Sequence, residues 1–446
     1  ETGLFICIIY INLIGNYKFA QNNIMIESRR NFLSHMASIA AGSILLNDIG
    51  YASFIFKVNK NPESIDREEL SKLYMLEKGS SYLNHASIGT VPRPIHNAHI
   101  KYLEICESNP SLYVWGAPWK LITNKTRELA ADLLGCHSTD IAITHNTTEG
   151  FNILAHGLKL NKKHEVLFSS LNHAGASMSW YGLSKIKNYK VRSFEFPIHL
   201  INEMNRKDII NIYKSQISRN TKVLVLPHID NIVGLRHPVN EIAREVKSLG
   251  VEYVFVDGAQ SLGMISIDLK NSQIDAYSMS PHKWLQAPKG TGLFYVNKNL
   301  RDIIPKMWYK SSRPEEDKTA TKYEDYSTRA WPAVVALGDA IRFHNSLGQQ
   351  RKDDHYNFLW SETKKIIDKE SRLDWLSPSN YDLGSMIMTI GIQGRSSFEL
   401  SEILSNDYNI HIRPFEKPIN ALRISPNLSS DLNDIQKLID VVLKNI

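Results

Sequence analysis

The chain has 446 residues, 43% hydrophobic and 22% charged, the composition of a globular protein long enough for a large domain and a smaller one. Its 52 basic and 46 acidic residues give a formal net charge of +6, with no Lys/Arg run interleaved with aromatics, so small anionic ligands are expected and nucleic acid is not. Cys7, Cys106 and Cys136 make neither a disulfide framework nor a metal-ligand spacing.

The first fifty residues differ in kind from the rest. Leu4 to Ile14 is apolar but too short to span a bilayer comfortably. Behind Met25, the pair Arg29-Arg30 precedes Asn31-Phe32-Leu33 and a small, apolar run from Met36 to Leu46. Paired arginines ahead of a modest hydrophobic segment predict a twin-arginine export leader over 1–52, with a periplasmic or exported location. An amphipathic helix with two chance arginines, in a cytoplasmic protein, is the alternative. No stable membrane span is expected in the mature chain.

From about Leu73 strand-like and helix-like segments alternate. Ile141–Thr144 reads as a strand, followed by a polar turn and a helix from Gly150 to about Leu158. Val166–Ser169, Val191–Phe196, Val223–Pro227, Tyr253–Val256 and Gly292–Val296 are further strands, and Val239 to Leu249 is a helix with one charged face. This alternation predicts an α/β fold, a mostly parallel sheet sandwiched by helices. Asp302–Tyr326 is rich in charge and reads as a surface excursion. From Ala333 a long helical pattern leads to a second αβ unit that ends in the helix Leu432–Leu443. The expected organisation is therefore an N-terminal segment at 73–95 joining the small domain, a large domain over 96–332 and a small domain over 333–446.

Polar clusters follow the predicted strands, where open α/β sheets bind ligands. Asn146-Thr147-Thr148-Glu149-Gly150 opens a helix and could take a phosphate, or be an ordinary cap. Asp257-Gly258-Ala259-Gln260 could bury a carboxylate against a cation, or merely turn the chain. His228-Ile229-Asp230-Asn231, Ser280-Pro281-His282-Lys283 and Leu171-Asn172-His173 complete the series. His282-Lys283 alone could be a solvated loop pair, and His173 a structural histidine. Their order along the chain makes the chemistry specific: phosphate cup, aromatic ring, Asn, Asp/Gln pair, then Lys.

In these motifs the chain resembles the class V aminotransferase family of pyridoxal 5′-phosphate (PLP) enzymes of fold type I, on the isopenicillin-N-epimerase-like branch. The resemblance runs over about residues 75–446, through YLNHASIG (82–89), NTTEGFN (146–152), HIDNIVG (228–234), VDGAQSLG (256–263), SPHKWLQAPKGTGLFYV (280–296), STRAWPA (327–333) and LRISP (422–426). It implies that Lys283 holds PLP as a Schiff base and moves the substrate Cα proton. It implies that Asp257 pairs with the pyridine nitrogen, that Gln260 and Asn231 lie at the O3′ edge, and that His173 stacks on the ring. Thr147, Thr148, Ser280 and His282 would cup the phosphate, with Thr328 reaching the phosphate of a neighbouring subunit in a homodimer. Arg423 would take the substrate carboxylate by a two-pronged contact, with His85 beside the substrate. The family pattern is left at Asn427-Leu428, where it often has an aromatic-Asn pair, and at Asn172, where it often has an acid.

The expected activity is chemistry at Cα of an amino-acid-like substrate, foremost β-elimination of a C–S-type side chain. Epimerisation or transamination is the second reading, and an exported PLP-binding protein without turnover the third. A cysteine desulfurase is excluded at this point, because a desulfurase needs a loop thiolate and 411–420 contains no cysteine.

Overall fold

The computed structural model describes residues 67–113, 118–309, 314–417 and 419–446; the leader with Arg29-Arg30, and Cys7, lie outside them. After a short strand β1 (Ser81–Tyr82) come two helices, α1 (Arg93–Ser108) and α2 (Pro118–Leu134). The main sheet then builds up as β2 (Ile141–Thr144), α3 (Thr147–Gly157), β3 (Glu165–Ser169), α4 (Ala174–Lys187), β4 (Lys190–Phe194), α5 (Arg206–Ser215), β5 (Thr221–Pro227), α6 (Val239–Ser248), β6 (Tyr253–Asp257), β7 (Ala276–Met279) and β8 (Gly292–Val296). Its seven strands run in the order β2-β8-β7-β6-β5-β3-β4. Only β8 is antiparallel to its neighbours, so the sheet is mostly parallel, as expected.

The central strands are apolar on both faces because both faces are covered. In β5, Val223 and Val225 pack with Val166, Phe168 and Phe255 on one side. Leu224 and Leu226 pack with Leu167, Val254 and Val256 on the other. That is the period-two alternation of a pleated strand inside a helix sandwich. The strand missed in the sequence is β7, whose Ala-Tyr-Ser-Met lacks a β-branched run. It is held between β6 and β8, and it carries the chain to Ser280.

The chain continues as α7 (Trp331–Leu347), α8 (Gln349–Ile367), β9 (Leu373–Trp375), β10 (Met388–Ile392), α9 (Ser397–Tyr408), β11 (Ile410–His411), β12 (Arg413–Phe415), β13 (Ala421–Ile424) and α10 (Leu432–Asn445). Four of these strands form an antiparallel sheet in the order β12-β13-β10-β9. β1 pairs in parallel with β11, which ties the N-terminal segment to this smaller unit. The boundary expected at 333 falls inside α7. That helix packs on α1 and α2, and Tyr102 donates a 2.6 Å bond to the buried Asp339.

The charged stretch 302–326 has exposed residues such as Asp302, Trp308 and Tyr309, but its end turns inward. Ala320 and Tyr323 are buried in the core, Tyr323 edge-on to Phe294. The Glu324 carboxylate binds Arg127 and Arg329 and accepts the Ile143 N–H at 2.9 Å. Charges that find such partners can enter a core, and composition alone does not reveal the pairing. No helix among the described residues is long and apolar enough to cross a membrane.

Candidate active site

Because β8 is antiparallel to both β7 and β2, the strands β2, β7, β6, β5 and β3 all deliver their carboxyl ends to one edge of the main sheet. The loops after β2 and β7 meet there. Thr147 and Ser280 are buried with their hydroxyls 2.8 Å apart, and Ser280 Oγ also accepts the Thr147 N–H at 3.2 Å. Asn146, not a threonine, caps α3 by accepting the Glu149 N–H at 3.0 Å. Thr147 and Thr148 thus occupy the first helical turn, where free N–H groups suit an anion. Thr148 is exposed. A Cβ on Gly175 would come within 2.6 Å of its hydroxyl and 3.1 Å of His173 Nδ1, so this glycine lies between the cup and the expected stacking ring.

His173 caps α4, its Nδ1 accepting the Gly175 N–H at 3.1 Å, which puts the ring hydrogen of the neutral form on Nε2. Asp257 ends β6, is buried, and accepts the Ala259 N–H at 2.9 Å. Burial raises its pKa, and the Ala259 bond, Lys283 and His173 pull it back. The glycine after it reflects close packing rather than a turn alone, since a Cβ on Gly258 would stand 1.9 Å from the Tyr277 ring. Gln260 is oriented at both ends. Its Nε2 donates to Ala86 O at 3.0 Å and its Oε1 accepts Trp284 Nε1–H at 2.8 Å.

Lys283 sits in a turn closed by its own N–H on Ser280 O at 3.1 Å. The 82–89 segment presses on that turn: Gly89 N–H donates to His282 O at 3.1 Å, and a Cβ on Gly89 would lie 2.0 Å from Lys283 O. Burial brings the Lys283 ammonium down to about 8, Asp257 opposing the shift and Arg423 adding to it. An amine near 8 reaches its neutral, nucleophilic form far more readily than an ordinary lysine does. His282 is lowered to about 4 by burial and then by the charges of Lys283 and Lys289, and its Nδ1 is buried without a partner among the described residues.

Arg423 projects from β13 in the smaller sheet and is buried. Its Nη1 donates to Asn231 O at 2.9 Å, and its Nη2 to Asn84 Oδ1 at 3.0 Å and Ser87 Oγ at 2.7 Å. Asn231 therefore engages this arginine through its backbone. The turn bearing Asn231 is held by buried Asp230, whose carboxylate accepts the Ile232, Val233 and Leu235 N–H groups at 2.7, 2.8 and 2.6 Å. A carboxylate gripping both Nη atoms would displace Asn84 or Ser87. These two, like Trp284, were not singled out in the sequence, although all three lie in the quoted motifs.

His85, expected beside the substrate, is held on both ring nitrogens. Its ring is fully buried, Nδ1 bonds Ser425 O at 3.1 Å and Nε2 bonds Thr90 Oγ1 at 3.2 Å. It clasps the N-terminal segment to the strand end after β13. Thr328 is exposed beyond Ser327, a non-glycine residue at φ 89°, while Arg329 is anchored to Glu324 at 2.8 Å and Ile143 O at 2.7 Å.

The residues fit PLP group by group. The aldehyde needs a neutralisable amine, the ring nitrogen a buried carboxylate, and the phosphate a hydroxyl-lined helix start. The unpartnered His282 Nδ1 is the kind of buried atom that a phosphate oxygen would satisfy. The family model for class-V aminotransferases matches residues 81–436. This chain belongs to the class-V aminotransferase family. Its cofactor is pyridoxal 5′-phosphate and its fold is fold type I.

Among the relatives, a probable cysteine desulfurase of Pyrococcus abyssi is 23% identical over 78% of this chain and 86% of its own length. The hercynylcysteine sulfoxide lyase of Schizosaccharomyces pombe is 20% identical over 78% and 89%, and the isopenicillin N epimerase of Amycolatopsis lactamdurans 23% over 84% and 96%. Of the solved structures, an apo cysteine desulfurase from Thermococcus onnurineus superposes with a TM-score of 0.73 at 20% identity, covering 85% of this chain and 98% of that one. The cystine C–S lyase C-DES, seen with glycine covalently linked to its PLP cofactor, gives 0.74 at 18%, covering 84% and 99%.

The desulfurases correct the exclusion drawn from the cysteine-free stretch 411–420. Proteins bearing that name are similar to this class-V chain over most of its length, so the exclusion does not stand. It rested on the ten residues 411–420 alone.

Proposed function

We propose that this protein cleaves the side-chain carbon–sulfur bond of a cysteine-like amino acid. The observation that carries this reading is the joint setting of Lys283. Its amine is brought down to about 8 while the charges of Asp257 and Arg423 act on it. The choice of a sulfur-bearing side chain draws support from the lyase and desulfurase names among the relatives.

Bound PLP supplies an electron sink conjugated to the substrate's Cα, which makes the Cα–H bond acidic. The chain's own residues do the rest. Asp257, a buried carboxylate, holds a proton on the ring nitrogen. His173 closes one face of the site. Arg423, kept in place by Asn231, Asn84 and Ser87, orients the substrate carboxylate. Lys283 Nζ takes the Cα proton as the electron pair of that bond moves to expel sulfur from Cβ. A homodimer in which Thr328 completes the neighbouring phosphate cup, and export through Arg29-Arg30, belong to the same proposal.

The test is to incubate PLP-loaded protein with L-cysteine, L-cystine and S-alkylcysteine sulfoxides, and to assay sulfur release, pyruvate, ammonia and alanine. Elimination yields pyruvate and ammonia in equal amounts with the sulfur fragment, whereas a desulfurase route yields alanine. Stereochemical exchange at Cα without sulfur release would replace this reading with epimerisation. That second reading is favoured by the isopenicillin N epimerase alignment, which spans 393 residues.

A further inference from the structure

Behind the Lys283 turn lies a second buried lysine that the proposed chemistry does not use. Lys352 is 2% exposed in the first turns of α8, and its ammonium bonds two neutral acceptors, Gly263 O and His344 Nδ1, each at 3.3 Å. No carboxylate among the described residues forms an ion pair with it. An ammonium only donates, so His344 Nδ1 must accept, and the hydrogen of that ring lies on Nε2. His344 is 1% exposed, and its Nε2 has no partner among the described residues.

Both residues line a cavity of about 300 Å³, together with Gln349, Asn345, Ser266 and, exposed at the rim, Asp132. The N-terminus of the 19-residue α8 opens beside them, and its cap, Gly348, provides no side-chain acceptor. The carbonyl end of α7 is blunted there, since Gly348 N–H takes Asn345 O at 3.2 Å. A buried ammonium, a ring N–H with no partner among the described residues and a helix start without a side-chain cap all call for negative charge. Burial lowers Lys352 to about 8, with Asp353 opposing the shift, so it is still largely charged at neutral pH. An uncompensated buried charge costs stability, and a bound anion would remove that cost.

We propose that this cavity binds a small oxyanion of the phosphate or sulfate class, its charge set against Lys352 Nζ and His344 Nε2–H. The site is separate from the phosphate cup at Thr147 and Ser280. It abuts the backbone that follows Lys283, because a Cβ on Gly263 would fall 2.5 Å from Leu285 N.

The experiment uses PLP-loaded protein, whose phosphate cup is filled, titrated with inorganic phosphate and with sodium chloride at matched ionic strength. Phosphate should bind saturably by calorimetry and raise Tm in proportion to occupancy, and chloride should not. Lys352→Met keeps the volume and removes the charge. It should fold with full PLP content, lose phosphate binding, and be no less stable than wild type in phosphate-free buffer. His344→Leu removes the second donor and should weaken binding roughly tenfold or more, the worth of a hydrogen bond to a charged group. This variant decides the matter should Lys352→Met fail to fold. No saturable binding to wild type, or an undiminished response in either folded variant, overturns the proposal.

Discussion

Trp284 and Gln260 are joined by a 2.8 Å hydrogen bond from the indole Nε1–H to the amide Oε1, and both are buried. The bond fixes which way the Gln260 amide points, so that its nitrogen is directed to Ala86 O and its second N–H remains for a ligand. Trp284→Phe should leave Oε1 buried without a donor and cost roughly 1–3 kcal/mol of stability. The measurement is urea denaturation of the PLP-loaded protein alongside its absorbance. If Gln260 touches the cofactor ring, the long-wavelength band moves as well; an unmoved band with lowered stability would confine Trp284 to a structural role.

The depressed Lys283 pKa predicts a pH dependence for cofactor capture. Only the neutral amine condenses with an aldehyde, so apo-protein should take up PLP about tenfold faster per pH unit below about 8 and level off above it. Lowering the pKa enlarges the neutral fraction at any given pH, so the plateau arrives at lower pH than for an ordinary lysine near 10.5. Stopped-flow absorbance measures the rate. Borohydride reduction followed by peptide mapping should place the pyridoxyl label on Lys283 and not on Lys289.

Thr328 is exposed next to the positive-φ residue Ser327, and backbone strain in a non-glycine residue persists where the surroundings impose it. If Thr328 reaches a neighbouring phosphate cup, light scattering should report a dimer whose PLP retention falls on dilution. Thr328→Val should then weaken PLP retention several-fold while leaving binding of phosphate-free pyridoxal unchanged. A monomer with full cofactor content would remove the shared site.

The Arg29-Arg30 pair predicts export of a folded, PLP-loaded protein. Changing both to lysine in the full chain should retain it in the cytoplasm with normal cofactor content, as read by cell fractionation and absorbance. Unchanged export of the double variant would point to another kind of leader.

The polar residues at the strand ends were legible because they stand in short local motifs. An apolar run followed by Asn-Thr-Thr, Asp-Gly-Ala-Gln or Ser-Pro-His-Lys places those side chains at one sheet edge wherever the strands are parallel. Their roles came with the family resemblance, and the structure brings Thr147, Ser280, Asp257 and Lys283 into one region. The burial of His85 was not legible, because a motif does not show it. Both its nitrogens are taken by Ser425 and Thr90, the first 340 residues away in sequence.

What the sequence by itself determined is therefore the local part: the alternating strands and helices, the order of the polar loops, and the amine, carboxylate and hydroxyls that suit PLP. Those features follow from periodicity and side-chain chemistry, which neighbouring residues already encode. Only the tertiary structure decided which groups meet. It set Arg423 against Asn84, Ser87 and Asn231, turned the Gln260 amide by way of Trp284, drew Glu324 inside, and brought Lys352 and His344 to one cavity. The Arg423 and Gln260 pairings join segments separated along the chain, and burial then fixes how strongly each charge is felt, because desolvation depends on everything packed around a group and not on its neighbours in sequence.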